Sequence, residues 1–121
     1  MNLSDLSSAD AGDAEIEEPA DAHRYLVAEA AGQRVAVPLG QAREIIGARA
    51  VTRLPGAPSW IAGLVNLRGT VLTVLDVSQR LGGAASAGPV LVVELGDRTF
   101  GLRVERVDGV SRTSTAEEAV D

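Results

Sequence analysis

Cysteine is absent from this chain, so neither a disulfide framework nor a thiolate metal site is open to it. A single histidine, His23, leaves a zinc cluster or a histidine-based triad without partners. Tyr25, Trp60 and Phe100 are the only aromatic residues, and a core must therefore be built from Val, Leu, Ile and Ala. Lysine is also missing; every base is arginine, the side chain that pairs bidentately with carboxylates. Heavy use of Ala, Gly, Val and Arg is also what a GC-rich genome produces, and most of the weight falls there. No apolar run reaches the roughly 18 residues of a membrane helix. The start of the chain lacks the basic residues and apolar run of a secretory signal. These absences lead to the expectation of a soluble, cytoplasmic protein.

What is present divides by charge. Residues 1–22 carry seven acids and no base, whereas residues 23–110 carry ten arginines against seven acids. The net charge of −6 thus describes the ends of the chain, and the body is mildly basic. Residues 1–22 hold too little large apolar surface to offset ordering entropy, so they read as a disordered acidic tail. Residues 111–121 return to Ser, Thr, Ala and Glu and read as a frayed tail. The 121 residues then make one domain with tails.

Within the body, short apolar runs alternate with turn residues. Tyr25 to Ala30 and Gln33 to Pro38, joined at Ala31-Gly32, predict a hairpin that Pro38 ends. Residues 39–47 fit one helical turn or an irregular strand. In the helical reading Ala42, Ile45 and Ile46 form an apolar face, Gly47 stops it and Glu44 points away from the core. Val51 and Leu54 are expected to point inward. Ser59 is a candidate cap for a turn through Trp60 and Ile61, ended by Gly63. The centre of the chain is a second hairpin, Gly63-Leu64-Val65 leading into Asn66-Leu67-Arg68-Gly69 and out through Thr70 to Leu75. Gly69 supplies a positive φ and Asn66 braces the corner. Arg68 is then either a solvated turn arginine or a contact residue, and spacing alone favours the first.

Asp76 is expected to cap a helical turn over residues 77–81. Residues 82–88 read as a flexible linker by composition. Residues 89–95 are apolar enough for a strand buried on both faces. After a turn at Gly96-Asp97, residues 98–107 alternate with Phe100, Leu102 and Val104 on one side. Seven or eight short strands with little helix indicate an all-β barrel or sandwich.

Chemistry is sparse. Asp76 and Glu44 make a nominal carboxylate pair that nothing local holds together, and no other acid–base cluster exists. The arginines are dispersed and no aromatic ladder is available for base stacking, which weighs against nucleic acid. A protein-binding module remains, with a small nucleic-acid-binding barrel as a distant alternative.

Residues 24–110 resemble the CheW-like domain of bacterial chemosensory systems, in order and in spacing. Val51-Thr52-Arg53-Leu54-Pro55-Gly56-Ala57-Pro58 is similar to its VTRLPNAP stretch. Ile61 to Gly82 is similar to its GVINLRGxVxPVxDLxxxLG hallmark, and Phe100 to Val110 to a later strand pair. The resemblance implies two SH3-like β-barrels, no enzyme activity and no cofactor. It also implies an adaptor that couples methyl-accepting chemoreceptors to a CheA-type histidine kinase, with the receptor tip lying between the barrels. By position, Ala42, Glu44, Gly63 and Arg68 belong to that receptor surface, together with Asn66 and Gly69 of the corner. Residues 111–121 match none of the family's closing strands, so the second barrel is expected to be C-terminally incomplete, as in FrzB-type members. The resemblance then implies weak or absent kinase coupling. It leaves open pairing with another CheW-like protein or a strand-swapped homodimer. The expected location is the chemoreceptor array, without membrane insertion.

Overall fold

A computed structural model describes residues 24–112 and 118–119. The acidic segment 1–22 and His23 lie outside the described residues. Nine strands form two sheets: β1 (Tyr25–Ala30), β2 (Gln33–Pro38), β3 (Ala42–Ile46), β4 (Ile61–Leu67), β5 (Thr70–Asp76), β6 (Val90–Leu95), β7 (Arg98–Arg103), β8 (Arg106–Ser111) and β9 (Glu118–Ala119). One 3₁₀ turn, Leu39–Gln41, and one four-residue helix, α1 (Val77–Arg80), complete the described elements. The architecture is all-β, with two SH3-like subdomains. The first is a five-stranded sheet in the order β3-β6-β7-β5-β4, and the second a four-stranded sheet in the order β8-β1-β2-β9.

Strand β6 joins the two cores, giving one face to each. Val90, Leu91, Val92 and Val93 are all buried, as expected of a run with no polar alternation. Val90 and Val92 face the interior of the five-stranded barrel, with Ile46, Val65, Leu72 and Val74. Leu91 and Val93 face the other way, toward Leu26, Ala28, Val35 and Val37 of the second sheet. The β7 residue facing Val74 and Val90 is Gly101; a Cβ placed there falls 2.7 Å from Val90 Cγ1. The barrel interior is therefore filled to the point where a single methyl group has no room.

The five-stranded sheet closes through the chain itself. Beyond β3, residues 47–51 cross to β4, where Thr52 and Leu64 exchange two backbone hydrogen bonds of 2.9 and 2.8 Å. Gly63 lies directly beneath this contact with φ +146°, and a Cβ there falls 2.2 Å from the Thr52 carbonyl oxygen. The closure therefore demands glycine for space as well as for backbone conformation. Bulges in β3, between Ala42 and Glu44, and in β4, between Ile61 and Gly63, bend both edge strands toward each other.

The two subdomains are pinned together at Glu105. Its backbone N–H donates to Glu29 O at 2.9 Å. Its carboxylate accepts from Ala31 N and from Ser78 Oγ, each at 3.3 Å. Nearby, Arg106 bridges Glu29 at 2.5 Å and Asp108 at 2.9 Å, tying β8 to β1. The Asp108 hydrogen bond, aided by the Glu29 charge, raises Arg106 above its ordinary range.

Several expectations change. Residues 39–47 split into a 3₁₀ turn and the bulged strand β3, so the irregular-strand alternative holds and the helical turn with one apolar face does not. Ile45 is exposed while Ile46 is buried and Ala42 packs on the inter-sheet core. The β3 bulge is the reason, because it moves Ala42 and Glu44 to opposite faces of the sheet, opposite Val93 and Val92. Leu54 points out, since the close Thr52–Leu64 contact spends the inward positions on Val51. Ser59 caps no helix; Ile61 N donates to Pro58 O and β4 starts at once. The loop 82–88 is fixed at Ser86, whose N–H donates to Asp76 Oδ2 at 2.9 Å and whose hydroxyl donates to Val104 O at 2.9 Å. The run 98–107 is not one strand: it breaks at Val104-Glu105 and its halves join different sheets. Ser111 closes β8, and Glu118–Ala119 pairs in parallel with β2 at Val35 and Ala36. Both hairpins, the Asp76 cap, which accepts from Gln79 N at 3.1 Å, and the doubly buried β6 match the sequence reading.

The closure makes a direct prediction. Gly63→Ala is expected to cost about 2–4 kcal/mol, because the new methyl group meets backbone that cannot turn aside. Gly47→Ala, where a Cβ meets nothing within 4 Å, is expected to change stability by less than about 1 kcal/mol. Urea unfolding of both variants tests the pair; equal losses would contradict this account of the seam.

Candidate functional site

The β4–β5 register pairs Leu67 with Thr70 and leaves Arg68-Gly69 as a two-residue loop. Both residues have positive φ, 52° and 88°, the signature of a type I′ turn. Asn66 Oδ1 accepts from the Gly69 N–H at 2.9 Å and holds the corner. The preferred first residue of such a turn is Asn, Asp or Gly. Arginine there bears a left-handed conformation that costs roughly 1–2 kcal/mol.

What arginine gains is a partner across the barrel seam. Its guanidinium pairs through Nη2 with Glu44 Oε2 of β3. Glu44 reaches the seam because the β3 bulge sets it opposite Val92, on the inward-facing side. The Arg68 side chain remains 69% exposed, and an exposed pair of this kind contributes about 0–1 kcal/mol. The ion pair therefore does not outweigh the backbone cost of placing arginine at this corner. The corner presents a charge at the expense of local stability, a pattern that points to recognition.

Around the pair the surface is mixed. Arg43 pairs with Glu94 at 2.5 Å on the same edge of the sheet. Ile45, 49% exposed, follows Glu44 on β3, and Val71, 60% exposed, stands opposite Asn66 on β5. A few charges beside exposed aliphatic side chains suit a protein partner. Among the described residues no group of three or more His, Asp or Glu is placed to hold a metal ion.

Of the residues singled out in the sequence, Glu44 and Arg68 come together directly. Asn66 and Gly69 build the turn that presents Arg68. Gly63 is buried beneath Thr52, and Ala42 packs between the two sheets. Asp76 and Glu44 make no pair; both Asp76 oxygens accept backbone N–H groups, from Gln79 and Ser86. Sequence reasoning missed Ile45, which only the helical alternative for 39–47 assigned to a face, and that face was the apolar one. It also missed Val71, which the period-two alternation with buried Leu72 and Val74 already sets outward.

The model of the CheW-like domain matches residues 24–118. This chain belongs to the CheW-like domain family. It is 36% identical over 96 residues to the chemotaxis protein CheW of Rhizobium meliloti, a stretch covering 75% of this chain and 62% of that protein. It is 35% identical over 83 residues to the protein PilI of Pseudomonas aeruginosa, covering 65% of this chain and 47% of PilI. The chain thus spans between about half and three-fifths of the length of these relatives. The fold is similar to that of the scaffolding protein TtCheW from Thermoanaerobacter tengcongensis, with a TM-score of 0.69 and 24% identity over 77% of this chain and 66% of that one. In this CheW-like chain, the Asn66 to Gly69 corner and the Glu44 pair lie on the closed, five-stranded subdomain.

Stability is expected to respond little at this corner. Arg68→Asn exchanges the left-handed arginine for a residue suited to the turn, and the ion-pair loss offsets part of that gain. The net change in urea unfolding should stay within about 1 kcal/mol. A loss above about 2 kcal/mol would show that the ion pair is structural.

Proposed function

We propose that this chain is a non-enzymatic chemosensory adaptor whose closed subdomain binds the cytoplasmic tip of a methyl-accepting chemoreceptor. The observation that carries this reading is Arg68, held exposed in an unfavourable backbone conformation beside Glu44 within a CheW-like domain. Ile45 and Val71 add exposed apolar surface on the strands that flank the pair, and an α-helical hairpin is a partner of suitable shape and polarity. Ala42, Gly63, Asn66 and Gly69 act through the shape and placement of this edge. The proposed setting is the cytoplasmic face of a receptor array.

Coupling to a CheA-type histidine kinase is proposed to be weak. The support for this is that, among the described residues, the second sheet has four strands against five in the closed barrel. A strand-swapped homodimer is a further proposed state, supported by the pairing of β9 with β2 at only Val35 and Ala36 among the described residues. The likeness in fold to a scaffolding protein favours a second reading, in which the chain bridges receptor and kinase as a full scaffold.

Titration with a purified receptor tip hairpin tests the first reading. Arg68→Asn is expected to weaken binding by about tenfold or more, with the unfolding midpoint unchanged. Unchanged affinity in both Arg68→Asn and Glu44→Gln would contradict it. Capture of the kinase's regulatory domain as tightly as the receptor tip would favour the bridging scaffold instead.

A further inference from the structure

Apart from the Glu44–Arg68 pair, a second set of arginines has no acidic partner among the described residues. Arg103, at the end of β7, stands between two clefts of about 360 and 290 Å³. Arg49 lines the first, and Arg53, Ser59 and Gln79 line the second. Arg49, Arg53 and Arg103 make no ion pair among the described residues. The Arg103 guanidinium donates to two backbone carbonyls, Ser86 O at 3.4 Å and Arg49 O at 3.2 Å, both long contacts. Its Nε–H is buried with no acceptor.

A buried donor on a cation, left without an acceptor, is costly, and the two terminal nitrogens of Arg103, with only long carbonyl contacts, are the donors left to meet a ligand. Asp76 is the one acid lining the smaller cleft. Its oxygens are turned to the Gln79 and Ser86 N–H groups, and it makes no hydrogen bond or ion pair with Arg103. The local balance is three arginines to one engaged carboxylate. The Ser59 hydroxyl and the Gln79 amide add neutral donors of the kind that complete an oxyanion's hydrogen bonds.

We propose that the cleft between the residue 49–53 segment, α1 and Arg103 binds an oxyanion, a carboxylate or a phosphate, with Arg103 as the anchoring donor and Arg53 as the outer clamp. The site is separate from the Glu44–Arg68 edge and does not depend on the receptor reading. It gives the adaptor a second contact, made either to an acidic side chain of a bound protein or to free phosphate.

The test is nuclear magnetic resonance of the full chain, titrated with inorganic phosphate and, separately, with acetate at constant ionic strength. Saturable movement of the Arg103 Nε–H signal and of the Ser86 and Gln79 amides is expected, with half-saturation on the order of 1–10 mM. Tighter binding of phosphate identifies the free anion as the ligand, and equal or tighter binding of acetate identifies a protein carboxylate. Arg103→Gln is expected to abolish the saturable response. Arg53→Gln, at an exposed position where folding is not at risk, is expected to raise half-saturation by about threefold or more. Shifts that stay linear with concentration, or that are identical in Arg53→Gln, would overturn the proposal and leave a water-filled cleft.

Discussion

The passage of the Thr52 carbonyl over Gly63 is the constraint on which the rest of this fold depends. Two hydrogen bonds between Thr52 and Leu64 turn an open five-stranded sheet into a closed barrel. Closure brings the β3 and β4 edges to one seam, and only then does the Arg68 corner stand within reach of Glu44. The interior leaves little freedom for another arrangement, since Gly101 has no space for a methyl group between Val74 and Val90. Apolar packing supplies the stability, and the absence of side-chain bulk at two glycines supplies the shape.

The exposed charge of the corner sits where stability is locally sacrificed. A left-handed arginine at the tip of a hairpin is worse for folding than an asparagine, and its exposed ion pair recovers only part of the difference. The second subdomain is built otherwise: Val35, Ala36 and Val37 are buried, Arg106 and Glu29 tie β8 to β1, and Glu105 joins the sheet to α1. One half of the molecule presents, and the other supports it through the shared strand β6.

Much of the fold was legible in the sequence where local chemistry and pairing agree. Ala31-Gly32 and Arg68-Gly69 mark two-residue turns between apolar runs, and both form hairpins as expected. Asp76 caps its helix because a carboxylate three residues ahead of a free N–H needs no tertiary help. The failures share one cause, which is that bulges and crossings are decided by tertiary closure. The β3 bulge turned an apparent helical face at Ala42, Ile45 and Ile46 into a strand whose residues face opposite ways. The break at Val104-Glu105 sends one alternating run into two sheets. The composition of 82–88 is that of a linker, and only the fold brings Ser86 to Asp76 and Val104. The corner itself was readable from its residues; its ion-pair partner, 24 positions earlier, was suggested by resemblance alone.

The most direct measurement maps where a receptor tip hairpin touches the ¹⁵N-labelled chain, by following amide shifts through a titration. The account predicts saturable shifts confined to residues 43–46 and 64–71, with the β1, β2 and β8 amides unmoved. Shifts centred on the four-stranded sheet, or no saturable shifts at all, would contradict it.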